Sequence, residues 1–260
     1  MNKQSFSFNR LWLLTKREII LKRKPFLITA AVISIAFILS YLSNINEGLI
    51  NNSENSTNYF HQTFFQLFLG IGGAIVSGKF FADQLLKDKG HVYLLLPATT
   101  LEKYISGVLI TGIGYTLFSL ILYAILSTVA DAITLAFVGK QLFVPFSPFS
   151  RLAWNAFRIY LSLNALFLLG GLIYHKNPVI KTIASGFGVF VGFMFLMGLT
   201  MKIVFWEYID WGNADIPEPN EAFKQRMEDF FDGDLADIGL LIGPVFLWIT
   251  GFFRLKEQEA

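Results

Sequence analysis

Few residues in this chain have the types and spacing that chemistry needs, and most of those arrangements exclude themselves. Gly73-Ala74-Ile75-Val76-Ser77-Gly78-Lys79-Phe80 falls one residue short of the phosphate-binding pattern GxxxxGK[ST]. Phe80 stands where that pattern needs the hydroxyl that ligates Mg²⁺, and the run sits inside an apolar segment rather than between a strand and a helix. Its glycines suit close helix packing instead. Gly73 and Gly78 are assigned that role, as are Gly188 and Gly192, a GxxxG in a later apolar run. ATP hydrolysis by this route is therefore excluded. His61, His91 and His175 lie in three separate linkers or span ends without HExxH-like spacing, which argues against a metal site. No serine, histidine and acid combination stands out for hydrolysis within a membrane. Cysteine is absent, which removes disulfides and thiolate metal sites. The expectation is a chain that is not itself an enzyme and holds no cofactor or metal.

The elements that must carry these residues are membrane spans. The chain is 54% hydrophobic, 15% charged and has a mean hydropathy of +0.53, whereas soluble domains carry roughly a quarter charged residues. Apolar residues come in blocks, at 26–43, 60–81, 105–130, 154–174, 179–206 and 238–253. Each block except the last approaches or exceeds the ~20 residues that cross a bilayer. The short last block contains Gly243-Pro244, which predicts a kink. The fold class expected is an all-α integral membrane protein, one transmembrane domain over 1–260 with six spans. Most of the 21 basic residues fall in segments on the N-terminal side of this arrangement. The positive-inside rule then puts both termini in the cytoplasm of a multi-pass protein of the inner membrane. A net charge of +2 gives no reason to expect nucleic acid as a partner.

Carboxylates are kept out of the middle of these spans. Lys79, Asp83, Arg158, Lys181 and Lys202 lie near span ends, and Gln66 and Asn164 are the amides well inside. Ion-coupled carriers rely on ionisable groups within the membrane, so any transport here would draw its energy from outside the bilayer. A single buried amide per helix is usually interhelical glue.

Three connecting segments differ in kind. Residues 1–25 place Phe8, Leu11, Trp12, Thr15 and Ile19 on one helical face among many basic residues. An interfacial amphipathic helix fits them, and so does a basic flank that only sets orientation. Residues 207–237 are strongly acidic and extracytoplasmic, with Asn220 able to cap an amphipathic helix or to lie in a solvated loop. Phe81–Tyr104, FADQLLKDKGHVYLLLPATTLEKY, is a polar break on the inner side. Within it Pro97 closes one segment, Thr99 can cap the next helix, and Glu102 completes a capping box. A stiff element therefore precedes the third span.

Two motifs and the span count resemble the membrane subunit of an ABC-2 type ABC transporter. LWLLTKREIILKRKP over 11–25 resembles that family's interfacial connecting helix, with its Arg-Glu pair at Arg17 and Glu18. KGHVYLLLPATTLEK over 89–103 resembles the L-P-(A/S)-(S/T)-x-x-E-K region between the second and third spans. The resemblance implies a permease that works with a second copy or a paralogue in the lipid bilayer. A separate P-loop ATPase would bind ATP and Mg²⁺. It also implies that residues 82–104 form the cytoplasmic coupling loop. The contact set carried over is Arg17, Glu18, Lys87, Lys89, Gly90, His91, Leu96, Pro97, Thr99 and Glu102. Uncharged, phenylalanine-rich spans favour an amphipathic or hydrophobic exported cargo. The alternative is a non-transporting membrane scaffold or immunity protein with a closed interior.

Overall fold

The computed structural model describes residues 6–51, 60–85, 90, 93, 95–139, 143–204 and 234–259, and every regular element among them is helical. The helices are α1 Phe8–Asn51, α2 Phe60–Leu85, α3 Thr100–Val138, α4 Arg151–Ile173, α5 Pro178–Val204 and α6 Asp234–Glu259. Five segments are long and apolar enough to cross a bilayer: Phe26–Ile45 within α1, all of α2, α3 and α4, and Pro178–Thr200 within α5. The chain is an all-helical, multi-pass membrane protein. The expected sixth span lies in α6, where charge at Asp234, Asp237, Arg254 and Lys256 brackets a short apolar stretch, and Pro244 lies inside the helix. The acidic segment with Asn220 lies outside the described residues.

Local chemistry sets the helix ends. Thr99 has extended backbone and accepts from the Glu102 amide, while the Glu102 carboxylate accepts from the Thr99 amide, which is the expected capping box. Ser150 caps α4 by accepting from the Ala153 amide. Gly139 ends α3 at φ 75°, a left-handed conformation that glycine adopts freely. Asn177, at φ 53°, turns the chain into Pro178, whose fixed φ suits the first position of α5.

α1 and α3 run side by side in the same direction. Arg10 meets Glu102, Thr15 meets Ser106, Phe26 meets Tyr115, Phe37 meets Tyr123 and Tyr41 meets Thr134. α2 runs against them, with Phe80 near Lys22 and His61 near Phe37. α4 is the central helix, packed on α2, α5 and α6. α6 returns its last turn to the start of α3. The described ends of α1 and α6 therefore share one end of the bundle.

α1 has 44 residues, about 66 Å at the helical rise, twice the ~30 Å of bilayer hydrocarbon. The boundary expected at residue 25, between an interfacial helix and the first span, does not interrupt it. The apolar span itself begins at Phe26, as expected, and residues 8–25 are its polar helical extension. Arg10, Thr15, Glu18 and Lys22 find partners on α2 and α3 that hold this extension against the bundle.

Glycine supplies the closest approaches. A Cβ on Gly73 would lie 2.0 Å from the Tyr160 ring, and one on Gly171 would lie 2.4 Å from the Gly78 carbonyl oxygen. Gly73 and Gly78 thus pack helices, as expected. Gly188 and Gly192 have nothing within 4 Å among the described residues, so they pack against no described helix. Most of α5 beyond Ile183 is exposed because α4 touches only its first turns. Between these zones Asn164 donates to Ser77 at 2.8 Å and to Thr111 at 2.9 Å, joining α4 to α2 and α3. Thr111 lies in a π-helical turn, Leu109–Gly114, whose widened ladder leaves its carbonyl to accept from the Tyr160 hydroxyl.

Gly73→Val should destabilise the fold by about 1–3 kcal/mol through overpacking against Tyr160. Gly192→Val should change stability by less than about 0.5 kcal/mol. Reversible unfolding in mixed micelles measures both.

Candidate functional site: the capped end of the bundle

Glu102 is the centre of this end. It has no solvent exposure, and its Oε1 accepts from the Ser7 amide at 2.7 Å and from the Arg10 guanidinium at 3.1 Å. Its Oε2 accepts from the Thr99 amide at 2.8 Å. One carboxylate thereby satisfies orphan amides at the starts of both α1 and α3. Such a group is stable in a buried position because both of its oxygens meet donors, one of them a guanidinium.

Two further ties surround it. Lys103, 2% exposed, donates to Glu259 at 2.7 Å, and Thr100 also hydrogen-bonds Glu259, so the last turn of α6 is held to the first turn of α3. Gln258 donates to the Leu172 carbonyl at the end of α4. On the other side Glu18 is buried, accepting from Arg17 at 3.1 Å and from the Gln84 amide. Burial pushes the Glu18 carboxyl up, against the opposing pull of Lys22, Arg17 and Gln84. Lys22 donates to the Phe80 carbonyl at 2.6 Å and lies 3.5 Å from the Phe80 ring centre. Burial lowers its ammonium to about 8, partly offset by Glu18 and Asp83.

The residues expected to contact a partner separate into two groups. Glu18, Glu102 and Gly90 are buried, so they position rather than touch. Arg17 is 41% exposed at its side chain, and Pro97 is exposed. Leu96 packs partly into the core formed by Phe80, Phe81, Tyr93, Tyr104 and Leu255, and Thr99 is half-buried. Lys87, Lys89 and His91 lie outside the described residues. Leu95, which motif reading passed over, stands 83% exposed at the turn before the cap. Arg10, Gln84, Lys103 and Glu259 were also missed. Their partners lie far off in sequence, 156 residues for Lys103 and Glu259, and no local pattern signals such a pair.

A second polar cluster lies at the opposite end, and its carboxylate, Asp131, stands near the end of a helix, in keeping with spans whose middles hold no carboxylate. α3 runs on past residue 130, so Asp131 is inside it, where it meets the buried His61 at 3.2 Å and accepts from Tyr41 at 2.9 Å. The expected end of the third span at 130 had placed Asp131 in a loop. Among the described residues no group of three or more His, Asp or Glu side chains could hold a metal ion.

No protein-family model, curated protein or solved structure matches the chain. Its role must therefore be argued from these two polar ends and the filled middle.

The sign of the Lys22 contribution is fixed by its lowered ammonium. Between about 8 and 10.5 the unfolded chain binds the proton that the folded chain has shed, so this group makes stability rise with pH across that window. Unfolding midpoints of the wild type should rise between pH 8 and 10 relative to Lys22→Met. Parallel profiles would contradict the assignment.

Proposed function

We propose that this chain is the permease subunit of an ATP-driven ABC-2 type transporter, exporting an amphipathic or hydrophobic cargo. ATP and Mg²⁺ act in a separate P-loop ATPase that docks on the capped end. In this reading α6 is the sixth span and both termini are cytoplasmic in the inner membrane. The observation that supports it best is the fastening of the α3 start by Glu102. A push on the exposed Leu95–Pro97 turn reaches a capped helix of 39 residues. An unfastened loop would absorb the displacement instead.

The interior supports a path between subunits rather than through one. Tyr115, Tyr160 and Asn164 fill the centre of the bundle with almost no exposure. A second copy or paralogue would then complete the pathway. The filled core is also what a non-transporting scaffold or immunity protein would have, and the ATPase distinguishes the two.

Purification from native membranes in mild detergent should bring down an ATPase carrying GxxxxGK[ST]. Leu95→Asp, or charge reversal at Lys87 and Lys89, should reduce its recovery at least tenfold while leaving the unfolding midpoint unchanged. Glu102→Gln should keep docking but cost about 1–3 kcal/mol of stability through unsatisfied amides and lower cargo-stimulated ATP turnover. Absence of any such ATPase would favour the scaffold.

A further inference from the structure

We infer that His61 is a reversible proton-binding site that latches α1, α2 and α3 together at the end of the bundle opposite the cap. This goes beyond the transporter reading and does not depend on an ATPase. His61 is 2% exposed and is enclosed by the rings of Phe37, Tyr41, Phe60, Tyr123 and Phe143, with centroids 5.3–6.3 Å away. Its titratable neighbours among the described residues are Asp131 and Tyr123 from α3 and Tyr41 from α1. Phe60 of α2 and Phe143 of the following segment bring no charge.

The hydrogen bonds accommodate both protonation states without moving a heavy atom. Nε2 faces Asp131 Oδ1 at 3.2 Å, and an ionised carboxylate only accepts, so Nε2 carries a proton in either state. Nδ1 lies 3.1 Å from the Tyr123 hydroxyl, which is also 3.0 Å from the His61 carbonyl. In the neutral form the Tyr123 hydroxyl donates to the Nδ1 lone pair. When a proton from water adds to that lone pair, Nδ1–H donates to the Tyr123 oxygen. The hydroxyl proton then turns to the His61 carbonyl. The imidazolium gains one positive charge, balanced by the Asp131 carboxylate.

Loading the proton strengthens the tie. It turns a hydrogen bond from a neutral imidazole to the carboxylate into an ion pair at a largely buried site and places a cation among aromatic rings. Asp131 also accepts from Tyr41, whose hydroxyl contacts Thr134 at 3.0 Å, so the same charge holds α1. The Asp131 side chain, 13% exposed, is the more open member of the pair and marks the edge where a proton enters.

The chain has three histidines, so H91Q with H175Q leaves His61 as the one imidazole in ¹⁵N-histidine NMR of the protein in lipid nanodiscs. On acidification its nitrogens should pass reversibly from the singly protonated to the doubly protonated pattern. D131N, which removes the carboxylate facing Nε2, should change the pH at which that conversion occurs. A single protonation state throughout, or a midpoint indifferent to D131N, overturns the site. The latch is read separately with spin labels at L42C and I133C, both on exposed faces of the cysteine-free chain. The distance distribution should be narrower at pH 5 than at pH 8. It should not respond to pH in H61Q. Equal distributions in the wild type overturn the latch.

Discussion

A carboxylate buried at a helix start governs the architecture of the capped end. Glu102 cannot reach water, so its oxygens must be met by donors, and the donors available are the amides of Ser7 and Thr99 and the Arg10 guanidinium. Meeting them fixes where α3 begins and brings the start of α1 alongside it. The parallel register of the two helices follows over their common length. Lys103 and Glu259 then add α6 to the same point. Removing one member leaves buried groups unpaired, which costs more than the net gain from making the bond.

The two ends hold their charges differently. At the capped end the ion pairs join sequence-distant helix termini, and exposed Leu95 and Pro97 stand outside them. At the other end one His–Asp pair is surrounded by aromatic rings. Between them the polar contacts are neutral, made by Asn164, Ser77, Thr111 and Tyr160. A neutral, filled middle keeps charge away from where the bilayer is driest and where it would cost most.

Sequence reading located the helices well because apolar blocks of about 20 residues leave few alternatives in a bilayer. The capping box was legible for a related reason, since its two members are three residues apart and the chemistry is local. Glu102's tie to Ser7 and Arg10 was not legible, because nothing in a single sequence pairs positions more than 90 residues apart. The first span begins at Phe26, as its apolar block indicated, and what the block did not show is that the helix runs unbroken into it from Phe8. Asp131 was misplaced by a span ended eight residues early. Gly188 and Gly192 show the converse, a packing motif with no partner among the described residues.

In the proposed transporter the Leu95–Pro97 turn faces the cytoplasm, where an ATPase can press on it. Because the chain has no cysteine, a thiol introduced by Leu95→Cys can be probed alone with a membrane-impermeant maleimide. Reaction is expected in inverted membrane vesicles and none in intact cells. Labelling from outside intact cells would contradict it.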